Sequence, residues 1–182
     1  MNYFIQALTF SRLFAGPIIF YLLLYTEQHY FTLIIFIFAG LSDYFDGYFA
    51  RRFSLESTLG KVLDPIADKI LTLFLLTSLA TYLSSHFIAF AGALIISREF
   101  WVSGLRDYNS RNNNTQATSV SFLAKLKTAT QFFSFTLFLY GIASGMALIT
   151  FCANFFLFLS MLLSYQTGIV YTLASFKNSP KV

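Results

Sequence analysis

Six apolar stretches, parted by short polar connections, run almost end to end along this 182-residue chain. They are Leu13–Tyr25, Phe31–Leu41 continuing through a polar stretch, Val62–Tyr82, Phe87–Trp101, Phe122–Tyr140, and Met146–Ser164 with an extension towards Ser175. A helix needs about 20 residues to cross the hydrocarbon of a bilayer, at about 1.5 Å per residue. The first two stretches are shorter than that, so both must continue as helix into polar sequence. Hydrophobic residues make up 57% of the chain and charged ones only 11%, against roughly 25% charged in a soluble domain. This excludes a disordered tail, a disulfide-stapled secreted module and an ordinary water-soluble enzyme. The expectation is an all-α integral membrane domain of six transmembrane helices over residues 1–182, with a short N-terminal interfacial segment, Met1–Phe10.

The charges show which side matters. All twelve Lys and Arg residues fall before the first stretch, around the second and fourth connections, or in the tail. The other three connections carry none. That asymmetry predicts cytoplasmic termini and a cytoplasmic face holding both basic connections. Seven of the eight acids share it, Glu27 being the exception. The net charge of +4 comes with no basic stripe interleaved with aromatics, so nothing points to nucleic acid.

The acids carry the chemistry. A helix continued from Phe31 reaches Asp43 only about 18 Å along its axis. Asp43, Asp46, Gly47 and Ala50 are spaced i, i+3, i+4 and i+7, and share one face. After a turn come Gly60, Asp64 and Asp68, the two acids again on one face. A short hairpin would make the second and third helices antiparallel neighbours and bring four carboxylates together. Clustered acids at membrane depth repel one another and resist desolvation, and the usual compensation is a cation. Carboxylates without His or Cys are hard ligands suited to Mg²⁺ or Mn²⁺, and four of them have room for two ions about 4 Å apart, the arrangement of phosphoryl transfer. Taken singly, each acid has a plainer reading. Asp43 or Asp46 would pair with Arg51, Arg52 or Lys69, and Asp64 before Pro65 looks like a helix N-cap. A divalent-cation transporter also places acids in membrane helices, but at several depths and without need of Gly47, Ala50 and Gly60.

Asp43-x2-Asp46-Gly47-x2-Ala50-Arg51-x8-Gly60-x3-Asp64-x3-Asp68 resembles the complete signature of the CDP-alcohol phosphatidyltransferases. These are six-span membrane enzymes that move a phosphatidyl or similar group from a CDP-linked donor to an alcohol, releasing CMP. Leu8-Thr9-x2-Arg12 with Pro17, Leu63 to Lys69, Ser97-Arg98-Glu99-Phe100, Ser103-Gly104-Leu105-Arg106 and Ala124-Lys125-x-Lys127-Thr128-x2-Gln131 extend the resemblance. They narrow it to the bacterial branch whose acceptor is glycerol-3-phosphate, in the cytoplasmic (inner) membrane. Other acceptors, namely inositol phosphate, serine or phosphatidylglycerol, stay open.

The resemblance implies Asp43, Asp46, Asp64 and Asp68 at two Mg²⁺ or Mn²⁺ ions, with Asp68 also the general base. It implies Gly47, Ala50, Arg51 and Gly60 at the nucleotide of CDP-diacylglycerol. Arg98, Arg106, Lys125 and Lys127 become candidates for the acceptor's phosphate, their plainer reading being charge that anchors a cytoplasmic face. A homodimer is implied as well. Four weaker signals remain: Cys152 as a small buried apolar residue, Asn154 as a hydrogen-bond donor to another helix, Pro17 as a kink, and Asp107–Ser121 as a flexible loop.

Overall fold

In the computed structural model the apolar stretches are α-helices, the form that satisfies every backbone group within one segment. The structure describes the backbone of residues 2–53 and 58–177, and the side chains of residues 10–42, 63–114 and 116–177. The helices are α1 (Asn2–Tyr25), α2 (His29–Phe53), α3 (Thr58–Tyr82), α4 (His86–Arg111), α5 (Phe122–Ser144) and α6 (Ala147–Lys177). There is no strand among the described residues. The Ser85 hydroxyl caps α4 by accepting from the Ile88 backbone N–H, and Ser121 caps α5 through Ala124. Gly145, at φ 69°, ends α5 in the left-handed conformation that glycine adopts without strain.

Two of these helices, His86–Arg111 and Ala147–Lys177, are long and apolar enough on length and composition to cross a membrane. Phe10–Tyr25 and His29–Ser42 are shorter apolar stretches. Every helix turns large apolar side chains outward: Phe14, Phe38, Leu73, Phe90, Phe133 and Phe151 are all exposed. Such a surface suits a membrane protein and not a soluble monomer.

The helices pack as a closed ring in the order α1, α3, α4, α6, α5, α2 and back to α1. Inside it lie Ile19, Leu23, Phe36, Leu75, Leu79, Ile95, Phe138 and Leu157, each at most 2% exposed. The hairpin expected between α2 and α3 falls at residues whose side chains lie outside the described ones. Among the described residues α2 and α3 pack chiefly on α1, which sits beside both, and not chiefly on each other. Gly16 is one reason, because a Cβ there would lie 3.1 Å from the Phe74 ring and 3.4 Å from the Leu71 Cα. α1 therefore packs so close to α3 that a side chain at this position would push the Phe74 ring aside.

Other local readings shift too. The N-terminal segment is continuous with the first apolar stretch in α1, which passes through Pro17. α3 likewise begins at Thr58 and runs through Pro65, so Asp64 is interior to the helix and not its N-cap. The polar stretch from Asp107 stays helical to Arg111, followed by a 3-10 turn at Thr115–Thr118. Buried Asn109 holds it: its side chain donates to Ser175 Oγ at 2.7 Å, and its carbonyl accepts from the Asn114 N–H at 2.8 Å. Cys152 is exposed, not buried, because the inner face of α6 passes through Ala153 and Leu157. Asn154 donates to the Thr150 carbonyl of its own helix at 2.9 Å, satisfied without a second helix.

Candidate active site

The helix directions place the start of α3, the ends of α4 and α6 and the start of α5 at one end of the bundle, beside the first turns of α1. The buried charged side chains among the described residues, Arg12, Arg98 and Lys127, all lie in that half. A cation costs several kcal/mol to bury unless it is paired and hydrogen-bonded, and each of these has its partners on another helix.

The acids of α3 form the first constellation. Asp64 and Asp68 stand one turn apart on the face that meets α1. Arg12 reaches them from α1, donating from Nη1 to Asp68 Oδ1 at 2.7 Å and from Nη2 to Asp64 Oδ1 at 3.1 Å. The arginine side chain is 1% exposed, while the aspartates are 53% and 40% exposed. The guanidinium thus lies beneath two carboxylates that open towards the outside. Asp43, Asp46, Gly47, Ala50 and Arg51 belong to α2 and Gly60 to α3; their side chains lie outside the described residues. The backbone does continue α2 as helix from His29 through Asp43 to Phe53, as the sequence requires.

The second constellation ties α4 to α5 and α6. Arg98, 8% exposed, donates from Nε to the Ser164 carbonyl at 2.8 Å, from Nη2 to Thr167 Oγ1 at 2.7 Å and from Nη1 to Glu99 Oε1 at 3.1 Å. Its stem crosses α6 at Gly168, where a Cβ would come within 3.2 Å of Arg98 Cγ. Glu99 Oε1 also accepts from Lys127 Nζ of α5. Arg106, exposed two turns further along α4, stands close enough to repel Lys127 electrostatically. Arg98 and Lys127 are therefore both paired to Glu99, with Arg106 near Lys127. Lys125 is exposed at the start of α5. That start is held from α6: the Tyr171 hydroxyl accepts from the Ser121 N–H at 3.2 Å. Lys69, next to Asp68, donates to Ser103 Oγ and links α3 to α4.

Several of these residues carry only weak signals in the sequence. Arg12 counted only as a cytoplasmic marker and a signature residue, although its place between Phe10 and Leu13 in an apolar run signals a charge that must find a partner. Glu99 was seen only beside Arg98. On α6, Ser160, Ser164, Thr167, Gly168, Tyr171 and Ser175 form the C-terminal part of the buried stripe. Their helical spacing was there to be read.

Comparison with known proteins identifies the family. The family described as CDP-alcohol phosphatidyltransferase matches residues 5–170. A relative from Rickettsia typhi, named CDP-diacylglycerol--glycerol-3-phosphate 3-phosphatidyltransferase, is 34% identical over 172 residues, 90% of this chain and 92% of its own. One of the same name from Wigglesworthia glossinidia brevipalpis is 36% identical over 126 residues, 68% of this chain and 69% of the relative. A third, from Pectobacterium atrosepticum, is 37% identical over 98 residues, about half of each chain at 54%. The chain belongs to the CDP-alcohol phosphatidyltransferase family.

Proposed function

We propose that this protein transfers the phosphatidyl group of CDP-diacylglycerol to the 1-hydroxyl of glycerol-3-phosphate, giving phosphatidylglycerophosphate and CMP. The observation that carries the reading is the likeness, over nine-tenths of both chains, to the relative from Rickettsia typhi that bears the name of this reaction. The geometry agrees with it in one respect above all: the two signature acids with described side chains stand together, partly open, over a buried arginine.

In this reading Asp68 accepts the proton of the acceptor's 1-hydroxyl as that oxygen attacks the phosphorus bearing diacylglycerol. The bond from that phosphorus to the CMP phosphate breaks, and CMP leaves. Asp64 and Asp68 fit a divalent ion by donor chemistry, being hard oxygen ligands one turn apart with part of each carboxylate accessible. With Asp43 and Asp46 they would hold two Mg²⁺ or Mn²⁺ ions, whose charge would offset that of the diphosphate and the departing nucleotide. Gly47, Ala50, Arg51 and Gly60 bind that nucleotide. Arg106 and Lys125 are exposed and open to the acceptor's phosphate, with Arg98 and Lys127 behind them paired to Glu99.

We further infer that six helices span the bacterial inner membrane, with both termini and the site cytoplasmic, and that two copies form a homodimer. The one-sided placement of the Lys and Arg residues supports the orientation, and the family resemblance supports the dimer. The lipid donor then enters from the bilayer while glycerol-3-phosphate and CMP exchange with the cytoplasm. The test supplies purified protein with CDP-diacylglycerol and Mg²⁺, offers each acceptor in turn, and follows CMP release. Glycerol-3-phosphate is expected to be preferred; preference for inositol phosphate, serine or phosphatidylglycerol overturns the acceptor assignment.

A further inference from the structure

Arg12 is too deeply placed to be a surface marker. Its side chain is 1% exposed, and its two terminal nitrogens go to different carboxylates, 2.7 Å to Asp68 and 3.1 Å to Asp64. Those acids occupy successive turns of α3, while the arginine comes from α1, which packs against both α2 and α3. A guanidinium is planar, so two carboxylate oxygens bound to its two ends are fixed in separation and in orientation. Left alone, two neighbouring carboxylates repel and turn apart. Outer groups that hydrogen-bond metal-ligating carboxylates orient them, and losing such a group typically costs about 10- to 100-fold in metal affinity.

We propose that Arg12 is a positioning residue that presents Asp64 and Asp68 to a divalent cation by bridging them, and not by its charge alone. This rests on the functional reading above, in which both acids face the metal. Lysine is the informative replacement. It keeps the positive charge, but a point ammonium on a shorter stem cannot hold both oxygens in one plane.

The experiment measures Mn²⁺ binding to the full-length purified protein by the electron paramagnetic resonance signal of free Mn²⁺, with wild type, Arg12→Lys and Arg12→Gln. Elution profile and far-ultraviolet circular dichroism of the metal-free proteins report folding. Both variants are expected to fold and to bind Mn²⁺ about 10- to 100-fold more weakly than wild type. Wild-type affinity in Arg12→Lys, with a loss only in Arg12→Gln, makes Arg12 a source of charge and overturns the proposal. Unchanged affinity in both variants overturns it too, and failure of both to fold assigns Arg12 to packing. Wild-type protein that binds no Mn²⁺, or releases no CMP from CDP-diacylglycerol and glycerol-3-phosphate, refutes the functional reading instead. An active, Mn²⁺-binding wild type with unaffected variants refutes this inference alone.

Discussion

Replacing Glu99 by leucine should destabilise the protein more than any loss of packing there explains. Glu99 accepts from Arg98 and from Lys127, whose side chains are both 8% exposed. Removing one partner of a buried ion pair leaves an uncompensated charge and costs about 3–5 kcal/mol. Arg98 keeps its bonds to the Ser164 carbonyl and Thr167 Oγ1 of α6, so the penalty falls mainly on Lys127. The low end, about 3 kcal/mol, is the expected value. For a chain of this length each kcal/mol moves Tm by about 2–4 °C, so the expected fall is roughly 6–12 °C. Thermal unfolding in one fixed detergent or nanodisc reads it. The double variant Glu99→Leu with Lys127→Met removes both charges and should recover more than half of the loss, because the orphaned ammonium is gone. A fall of about 1 °C or less in the single variant, or a double variant less stable than the single, refutes the reasoning.

Asp68→Asn should leave the protein folded and able to bind CDP-diacylglycerol while CMP release stops; near-normal turnover removes Asp68 as the base. Arg106→Gln and Lys125→Gln, both at exposed positions, should raise KM for glycerol-3-phosphate about 10-fold or more with little effect on KM for the lipid donor, as expected for a lost charge-assisted bond to phosphate. Equal rises for both substrates count against an acceptor site there. Stripping divalent metal with EDTA should abolish CMP release, and Mg²⁺ or Mn²⁺ should restore it; activity that survives exhaustive chelation refutes the metal reading.

How much of this was legible in the sequence depends on whether a residue's partner lies near it along the chain. Helix identity was legible, because apolar runs with few charges allow little else. So was the continuation of α2 past Leu41, since Phe31–Leu41 alone is too short to cross hydrocarbon and α2 duly reaches Phe53. The shared face of Asp64 and Asp68 follows from four-residue spacing. Pairings between distant helices were not legible. Nothing local says that α1 lies beside both α2 and α3, and so Arg12 could not be matched to acids 52 and 56 residues away. Arg98, offered by the sequence for the acceptor's phosphate or as an anchoring charge, has partners on α6 that are 66 and 69 residues distant. Proline misled as a boundary: Asp64-Pro65 has the look of a helix start, and α3 runs straight through it.

The one-sided placement of Lys and Arg along the chain also takes on another cause. Counting Lys and Arg on one side treats them as equivalent anchors held at the membrane surface by snorkelling. Arg12, Arg98 and Lys127 are not at a surface at all. Each ties its own helix to another: Arg12 joins α1 to α3, Arg98 joins α4 to α6, and Lys127 joins α5 to α4. The last tie is a cross-brace, because α4 and α5 are not neighbours in the ring. At the opposite end the described core is uncharged and mostly apolar, and the helices are joined by tight turns such as Gly145. The two ends are therefore held by different forces, ionic at one and hydrophobic at the other. Ionic ties have direction and fixed length, which is what a site for transferring a phosphate-linked group must have around its acids and its cations. On the proposed function, part of the asymmetry thus serves chemistry that needs charges pinned in place at that end, and the one-sided count of Lys and Arg is in part its by-product.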